Sequence, residues 1–373
     1  MEPNQDIHVN LSEETWRTNY SIDQAIAQFH DQLPSHAPTP LKSLPSLARH
    51  LGLGYILLKE ESHRCGLNAY KILGASWGTY RALAAKLGKP LTISLEEMGV
   101  EARKAEIILV TATDGNHGRA IARMGKLLGL ETRIIVPRFL DEAAKTRIAS
   151  EGPHVTVVVA DGDYDEAVRW AVKEKSATKN PILVQDVAWE GYEDIPRWIV
   201  DGYSTLFAEI DLQMPSIIGD KKLDLVISPV GAGALCQAVV QHYKRVNCFV
   251  PIVTVEPVTA GCLHQSLKTD KATSIETSDS IMSGLNCGTV SSIAWPLLRL
   301  GVDVSVVVSE LEAHISTQNL LGLGINAGPC GAAPLAALEK ICRGRGIPGL
   351  KLDKNNVALL ICTEGDREYR IPE

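Results

Sequence analysis

The chain lacks a basic excess. Its 37 Lys and Arg stand against 44 Asp and Glu, a net charge of −7, so no electrostatic footprint for nucleic-acid phosphates is expected. It also lacks a long apolar run. No stretch reaches the roughly 18 residues of a membrane-spanning helix, and no membrane partner is expected. The amino-terminal residues carry Glu2 and Asp6 but no apolar core segment, unlike a secretory signal. The eight cysteines form no C-x-x-C pair. With no secretory signal they read as free thiols in a reducing, cytoplasmic setting. There is no G-x-S-x-G elbow, which leaves a serine hydrolase unsupported. His63, His117 and His264 have no ligand spacing with cysteines or acids, so no metal site is expected. Internal repeats and low-complexity tracts are absent too.

What is present is a soluble-type composition, 45% hydrophobic and 22% charged over 373 residues, enough for one large domain or two ordinary ones. From about residue 105, short β-rich runs alternate with helical patterns. Residues 107–113, 132–137, 155–160 and 182–186 read as strands, and 119–130, 141–150 and 164–175 as helices. Further on, 223–230, 251–256, 302–309 and 357–363 read as strands, with a helix at 234–245. The strands are continuous Val/Ile/Leu runs, which suits burial on both faces of a parallel sheet. The fold class expected is therefore α/β, with helices packed on both faces.

In such sheets, ligands gather beyond the carboxyl ends of strands. Several strands here end in polar or glycine-rich turns. Gly231-Ala232-Gly233 follows a strand and opens a helix, so its backbone N–H groups can approach a phosphate. A plain βα turn explains it equally well. A literal G-x-G-x-x-G at 344–349 contains Pro348 and opens no helix, and is read as a loop. Asp114-Gly115-Asn116-His117-Gly118 puts a carboxylate, an amide and an imidazole on one glycine turn. Either Asp114 or Asn116 alone would be read as a helix cap; the cluster at a strand end points to function. Lys71 lies among small and apolar residues between Gly66 and Gly74. Most lysines are solvated, but desolvation in such a place can lower a lysine pKa and permit a Schiff base.

Together these motifs resemble the fold type II pyridoxal-phosphate (PLP) enzymes, the tryptophan synthase β-subunit and serine/threonine dehydratase group. The order matches: a lysine near residue 70, an Asn-containing glycine loop, a glycine-rich phosphate loop and a late Thr at a strand end. Within that group the chain is most similar to the diaminopropionate ammonia-lyases. The similar stretches are Gly66-Leu67-Asn68-Ala69-Tyr70-Lys71, residues 112–119, residues 185–192, residues 281–289 and Thr363-Glu364-Gly365-Asp366.

The resemblance implies two open, mostly parallel twisted sheets, with the cofactor PLP in the cleft between domains. It places residues 1–76 and 187–373 in a large PLP-binding domain and 77–186 in a smaller α/β domain. It implies that Lys71 holds the cofactor as a Schiff base and then acts as a base at Cα. Asn116 would bond the pyridine 3′-oxygen. Gly231, Ala232, Gly233 and Ala234 would cradle the phosphate, and Thr363 would face the pyridine nitrogen. Asp114 would be a second base on the opposite face, and Asp186 would hold the substrate's β-amino group as an ammonium. The implied reaction is elimination of a small amino acid, 2,3-diaminopropionate in either enantiomer, to pyruvate and ammonia. The implied assembly is a homodimer.

One segment departs from the family pattern. A Ser-Gly-Glu-Ser-Gly-type run is replaced by Asn326-Ala327-Gly328-Pro329-Cys330-Gly331, with an acid lost and a cysteine gained. Two alternatives therefore stand beside the leading reading. One is a related β-elimination, β-replacement, dehydratase or racemase enzyme acting on another β-substituted amino acid. The other is a non-catalytic small-molecule-binding relative.

Overall fold

In chain order the strands are β1 (Ile7–Val9), β2 (Leu41–Ser43), β3 (Tyr55–Glu60), β4 (Ile108–Ala112), β5 (Thr132–Val136), β6 (Val155–Val159), β7 (Pro181–Leu183), β8 (Leu225–Pro229), β9 (Ile252–Pro257), β10 (Val304–Val308) and β11 (Val357–Cys362). They come from a computed structural model that describes residues 6–10, 16–113, 115–177, 179–344 and 352–372, with the side chains of 175–177 excepted. The chain divides into two compact units. The first spans Met1–Ile22, Pro38–Arg64 and Leu206–Glu373; the second spans Asp23–Ala37 and Cys65–Thr205.

The first unit is built on a seven-stranded sheet of order β1-β10-β9-β8-β11-β3-β2. Its five central strands are parallel, and the three-residue β1 and β2 close the edges antiparallel. Short edge strands leave little unpaired backbone for stray pairing. Every residue of β8, β9, β10 and β11 is buried, as the continuous apolar runs imply. The core of this unit joins Ile56, Leu58, Leu225, Ile227, Val253 and Leu360 from the sheet to Ala333, Leu335 and Leu338 on the helix Pro329–Arg343.

A buried charge cluster sits in the same unit. Arg64 Nη1 donates to Glu209 Oε1 at 2.6 Å and Nη2 to Glu61 Oε1 at 2.7 Å. Lys59 Nζ donates to Glu209 Oε2 at 2.7 Å. The side chains of Lys59 and Arg64 are fully buried. Charges removed from water stay ionised only when paired and hydrogen-bonded throughout, and the Thr39 carbonyl and Gln213 amide complete the shell of Lys59.

The second unit holds a four-stranded, wholly parallel sheet of order β6-β5-β4-β7. The helices Asn116–Leu128, Glu142–Ala149 and Tyr164–Ala177 make its crossovers. Beside them lies the 17-residue helix Lys71–Leu87, which packs without spacing against the helix Asp194–Gly202. A Cβ on Gly74 would fall 2.6 Å from the Ile199 carbonyl oxygen, one on Gly78 2.5 Å from Ile199 Cγ1, and one on Gly202 2.6 Å from the Leu73 carbonyl oxygen. The seam closes only because all three positions are bare.

The sequence reading placed a strand from residue 182 to Asp186. The strand ends at Leu183, and Asp186 follows in a turn. All eight cysteines are free. Among the described residues no helix is long and apolar enough to cross a membrane, and no cluster of His, Cys, Asp and Glu could hold a metal ion.

Candidate active site

In the second unit β4 and β7 are parallel neighbours, so the turns after them share one edge of the sheet. The turn after β4 is folded by Thr113. Its hydroxyl accepts from the N–H groups of Gly115 and Gly118, both at 3.0 Å. Asn116 follows as the first residue of its helix and is half-buried. Asp114, the expected second base, lies outside the described residues. The turn after β7 is fixed by its own side chains. Gln185 Oε1 accepts from the Thr111 hydroxyl and the Ala112 N–H, both at 3.0 Å, and its Nε2 donates to the Tyr164 hydroxyl at 2.8 Å. The Tyr192 hydroxyl accepts from the Gln185 N–H and donates to the Leu183 carbonyl. Trp189 stacks on Tyr192 at 4.4 Å. Asp186 is thus presented by a turn held from both sides.

Lys71 and Asp186 meet. Lys71 Nζ lies 2.7 Å from Asp186 Oδ2, with side chains 21% and 12% exposed. Burial alone would lower the Lys71 pKa, which was the expectation from sequence. The facing carboxylate outweighs it and raises the pKa well above the ordinary lysine value. For Asp186, burial favours the neutral acid, yet the His117 ring, whenever it carries a proton, and the Lys71 ammonium hold it well below the usual carboxylate range. Lys71 is therefore held as a cation while it faces Asp186. Tyr70 supports the pair from one side, its ring 5.6 Å from Nζ and 4.9 Å from the buried Tyr203 ring.

Sequence reasoning placed His117 in the functional turn but gave it no role of its own. Its ring is buried, Nε2 lies 2.9 Å from the Val184 carbonyl oxygen, and Nδ1 lies 3.7 Å from Asp186 Oδ2. The signal was in the sequence: an imidazole one residue past Asn116, at a strand–turn–helix junction. Its partner, 69 positions later, was not.

In the first unit, β8 and β11 are parallel neighbours in the register Leu360↔Ile227, so the turns after them also share an edge. Gly231-Ala232-Gly233 follows β8 and leads into the ten-residue helix Ala234–Tyr243. Gly233 has φ +98°, a conformation that suits glycine. A Cβ on Gly231 would fall 3.0 Å from the Gly284 carbonyl oxygen and 3.2 Å from Cys287 Sγ. The turn is thus open backbone at the head of a helix whose first N–H groups have no intrahelical acceptor. That is the arrangement an anionic phosphate requires. Thr363, buried, is the first residue after β11.

Arg367 ties this edge together. Its Nη2 donates to the Ile281 carbonyl and, at 3.0 Å, to the Ser283 hydroxyl, while Nε faces Glu364 Oε1 at 3.4 Å. Glu364 Oε1 also accepts from the Cys330 N–H at 3.3 Å. In the departing segment, Pro329 is the first residue of its helix. Cys330 is buried, and burial keeps it a neutral thiol. The segment that lacks the family's acid therefore packs its backbone against the Glu364 carboxylate.

The residues expected to hold cofactor and substrate are drawn from both units. Lys71, Asp186 and Asn116 lie in the second, and Gly231, Ala232, Gly233, Ala234 and Thr363 in the first. A lysine with a carboxylate partner, and a glycine turn that any Cβ would fill, both fit PLP.

A family model described as pyridoxal-phosphate dependent enzyme matches residues 33–362. The chain is 33% identical to the diaminopropionate ammonia-lyase of Salmonella typhimurium, over 95% of this chain and 92% of that protein. It is 32% identical to the diaminopropionate ammonia-lyase of Escherichia coli K12, over 92% and 88%. It is also similar, with TM-score 0.85 and 30% identity, to a crystal structure of the Escherichia coli ammonia lyase in complex with an aminoacrylate-PLP azomethine reaction intermediate. That match covers 97% of this chain and 94% of the other.

Proposed function

The chain belongs to the pyridoxal-phosphate dependent enzyme family, and from that premise we propose that it eliminates one ammonia from 2,3-diaminopropionate across Cα and Cβ, the aminoacrylate released then taking up water to give pyruvate and a second ammonia. The reading is supported by relatives of that activity that align over nearly the whole chain. The observation that carries it is the Lys71–Asp186 pair at 2.7 Å. Asp186 is built to hold an alkylammonium ion. A substrate whose leaving group is itself a β-ammonium offers the same chemical group once Lys71 is engaged elsewhere.

Lys71 Nζ would attach the cofactor covalently and, when released, take the proton from the substrate Cα. Bound PLP would supply the electron sink for the carbanion so formed. Asp186 keeps the β-amino group protonated and oriented, and an amine leaves readily only as the ammonium. Asp114 is the corresponding base for the other enantiomer. Asn116 would bond the 3′-oxygen of the cofactor ring, and the N–H groups of Gly231, Ala232, Gly233 and Ala234 would hold its phosphate. Thr363 would offer the ring nitrogen a neutral hydroxyl, which would leave it unprotonated and favour elimination over transamination. A homodimer in the cytoplasm completes the reading; light scattering of the purified protein tests the assembly.

The test is to load the protein with PLP, add D- or L-2,3-diaminopropionate and couple pyruvate to lactate dehydrogenase. Lys71→Ala should abolish both the cofactor absorbance band and turnover. A loaded enzyme that makes no pyruvate from either enantiomer, but does so from serine, threonine, O-acetylserine or hydroxyaspartate, overturns the substrate assignment.

A further inference from the structure

We infer that His117 is a positioning residue that keeps the Asp186 carboxylate charged and aimed once Lys71 has been taken up by the cofactor. The inference rests on the reading above, in which Lys71 Nζ holds PLP.

The argument starts from the hydrogen-bond valence of the ring. A carbonyl oxygen only accepts, so the 2.9 Å contact to Val184 requires a proton on Nε2. In the neutral imidazole this leaves a lone pair on Nδ1. Among the described residues that buried nitrogen has no hydrogen-bond partner, and Asp186 Oδ2 lies 3.7 Å away. Two acceptors facing each other in a buried space repel. The arrangement is tolerable while the Lys71 ammonium sits 2.7 Å from the same oxygen.

Covalent attachment of Nζ takes that ammonium away from Asp186. A buried carboxylate is then short of its nearest donor, a state that proteins avoid by pairing or neutralising the charge. One proton from solvent on His117 Nδ1 resolves both conflicts. The ring then donates Nε2–H to Val184 and Nδ1–H to Asp186, and the carboxylate stays an anion with a second oxygen free for an incoming ammonium. The charged groups that face His117 among the described residues are Lys71 and Asp186. In the free enzyme, burial opposes protonation of the ring most strongly, and Lys71 adds to it while Asp186 favours it. Cofactor attachment removes one of the two opposing influences and keeps the favourable one.

The direct test is the protonation state of the ring. Protein carrying ¹⁵N-labelled histidine is examined by NMR at pH 7 without and with PLP, and the His117 signal is identified by its loss in His117→Gln. The expected result is a neutral Nε2–H ring without cofactor and a doubly protonated ring with it. A ring that stays neutral in both states overturns the inference, and the wild-type spectra decide this even if the variant folds poorly. His117→Gln, which cannot carry the charge, is expected to raise KM for the substrate about 10- to 100-fold, the worth of one hydrogen bond to a charged group. Its kcat should change less, and its cofactor band should be retained. An unchanged KM with the band intact also overturns the inference. If PLP leaves no Lys71-dependent band, the functional reading fails and takes the inference with it. If the band forms and His117 stays neutral, only the inference fails.

Discussion

The Lys71 ammonium and the Asp186 carboxylate meet at 2.7 Å at the head of a 17-residue helix. The amino end of a helix is electropositive and disfavours a cation. Burial disfavours it further. Asp186 reverses both, and the lysine that must become a nucleophile is stored as its conjugate acid.

Asp186→Asn should therefore lower the Lys71 pKa, because burial and the helix dipole remain while the counter-charge is gone. Attachment of PLP needs the neutral amine, so the pH limb of its rate should move to lower pH in the variant. Stopped-flow absorbance over a pH series measures this. Turnover of diaminopropionate should fall by about 10²-fold, the loss of a positioned charge-assisted bond and its share of proton transfer.

Gly231→Ala should weaken the phosphate turn without touching the lysine. The new methyl meets the Gly284 carbonyl at 3.0 Å and Cys287 Sγ at 3.2 Å, and backbone has little room to yield. PLP affinity should drop by about tenfold or more, about 1.4 kcal/mol, read by fluorescence titration. The Lys71-dependent band should still form at saturating cofactor.

Glu209 is the shared acceptor of Lys59 and Arg64. Glu209→Ala should cost about 3–5 kcal/mol, because it leaves buried Lys59 without its bonded carboxylate and buried Arg64 with Glu61 alone. Urea denaturation followed by circular dichroism checks the value. A loss below 1 kcal/mol would show that water reaches the cluster.

Asp186 and Asp201 should shape acid stability with opposite signs. The Asp186 pKa is depressed when folded, so its contribution is present above the unfolded value near ~3.9 and is lost as pH falls below it. Burial pushes Asp201 up to about 6, against the pull of Arg81. Its folded form binds more protons, so stability falls as pH rises from about 4 towards 6 and then levels off. Asp201→Asn should remove that decline and gain of order 1 kcal/mol at pH 7, with little change near pH 4. Thermal melts at the two pH values separate the cases.

The parallel strands from residue 105 onward were legible because a strand buried on both faces needs an unbroken apolar run. β3 was not, because Lys59 and Glu60 look like surface residues until Glu209 is placed against Lys59, 150 positions along the chain. β1 and β2 are three residues each, too short for a periodicity. Lys71 and Asp186 were each candidates from resemblance, but their meeting, and the lysine pKa it reverses, needed the fold. His117 failed the test for a metal ligand and, though part of the functional turn, had no role assigned, since nothing local shows which carboxylate a buried imidazole faces. Gly74, Gly78 and Gly202 carry no chemistry at all, and only packing reveals what they do.

Those three glycines set the manufacturing tolerance of the catalyst. A helix is stiff along its axis, so a displacement at the seam is delivered almost undiminished to its first residue, the lysine that must reach the cofactor. A single added methyl would ask for a shift on the scale of an ångström, enough to cost a catalytic group about 10²-fold in rate. Drift at these positions should disable the enzyme while leaving a folded protein with every reactive side chain in its sequence.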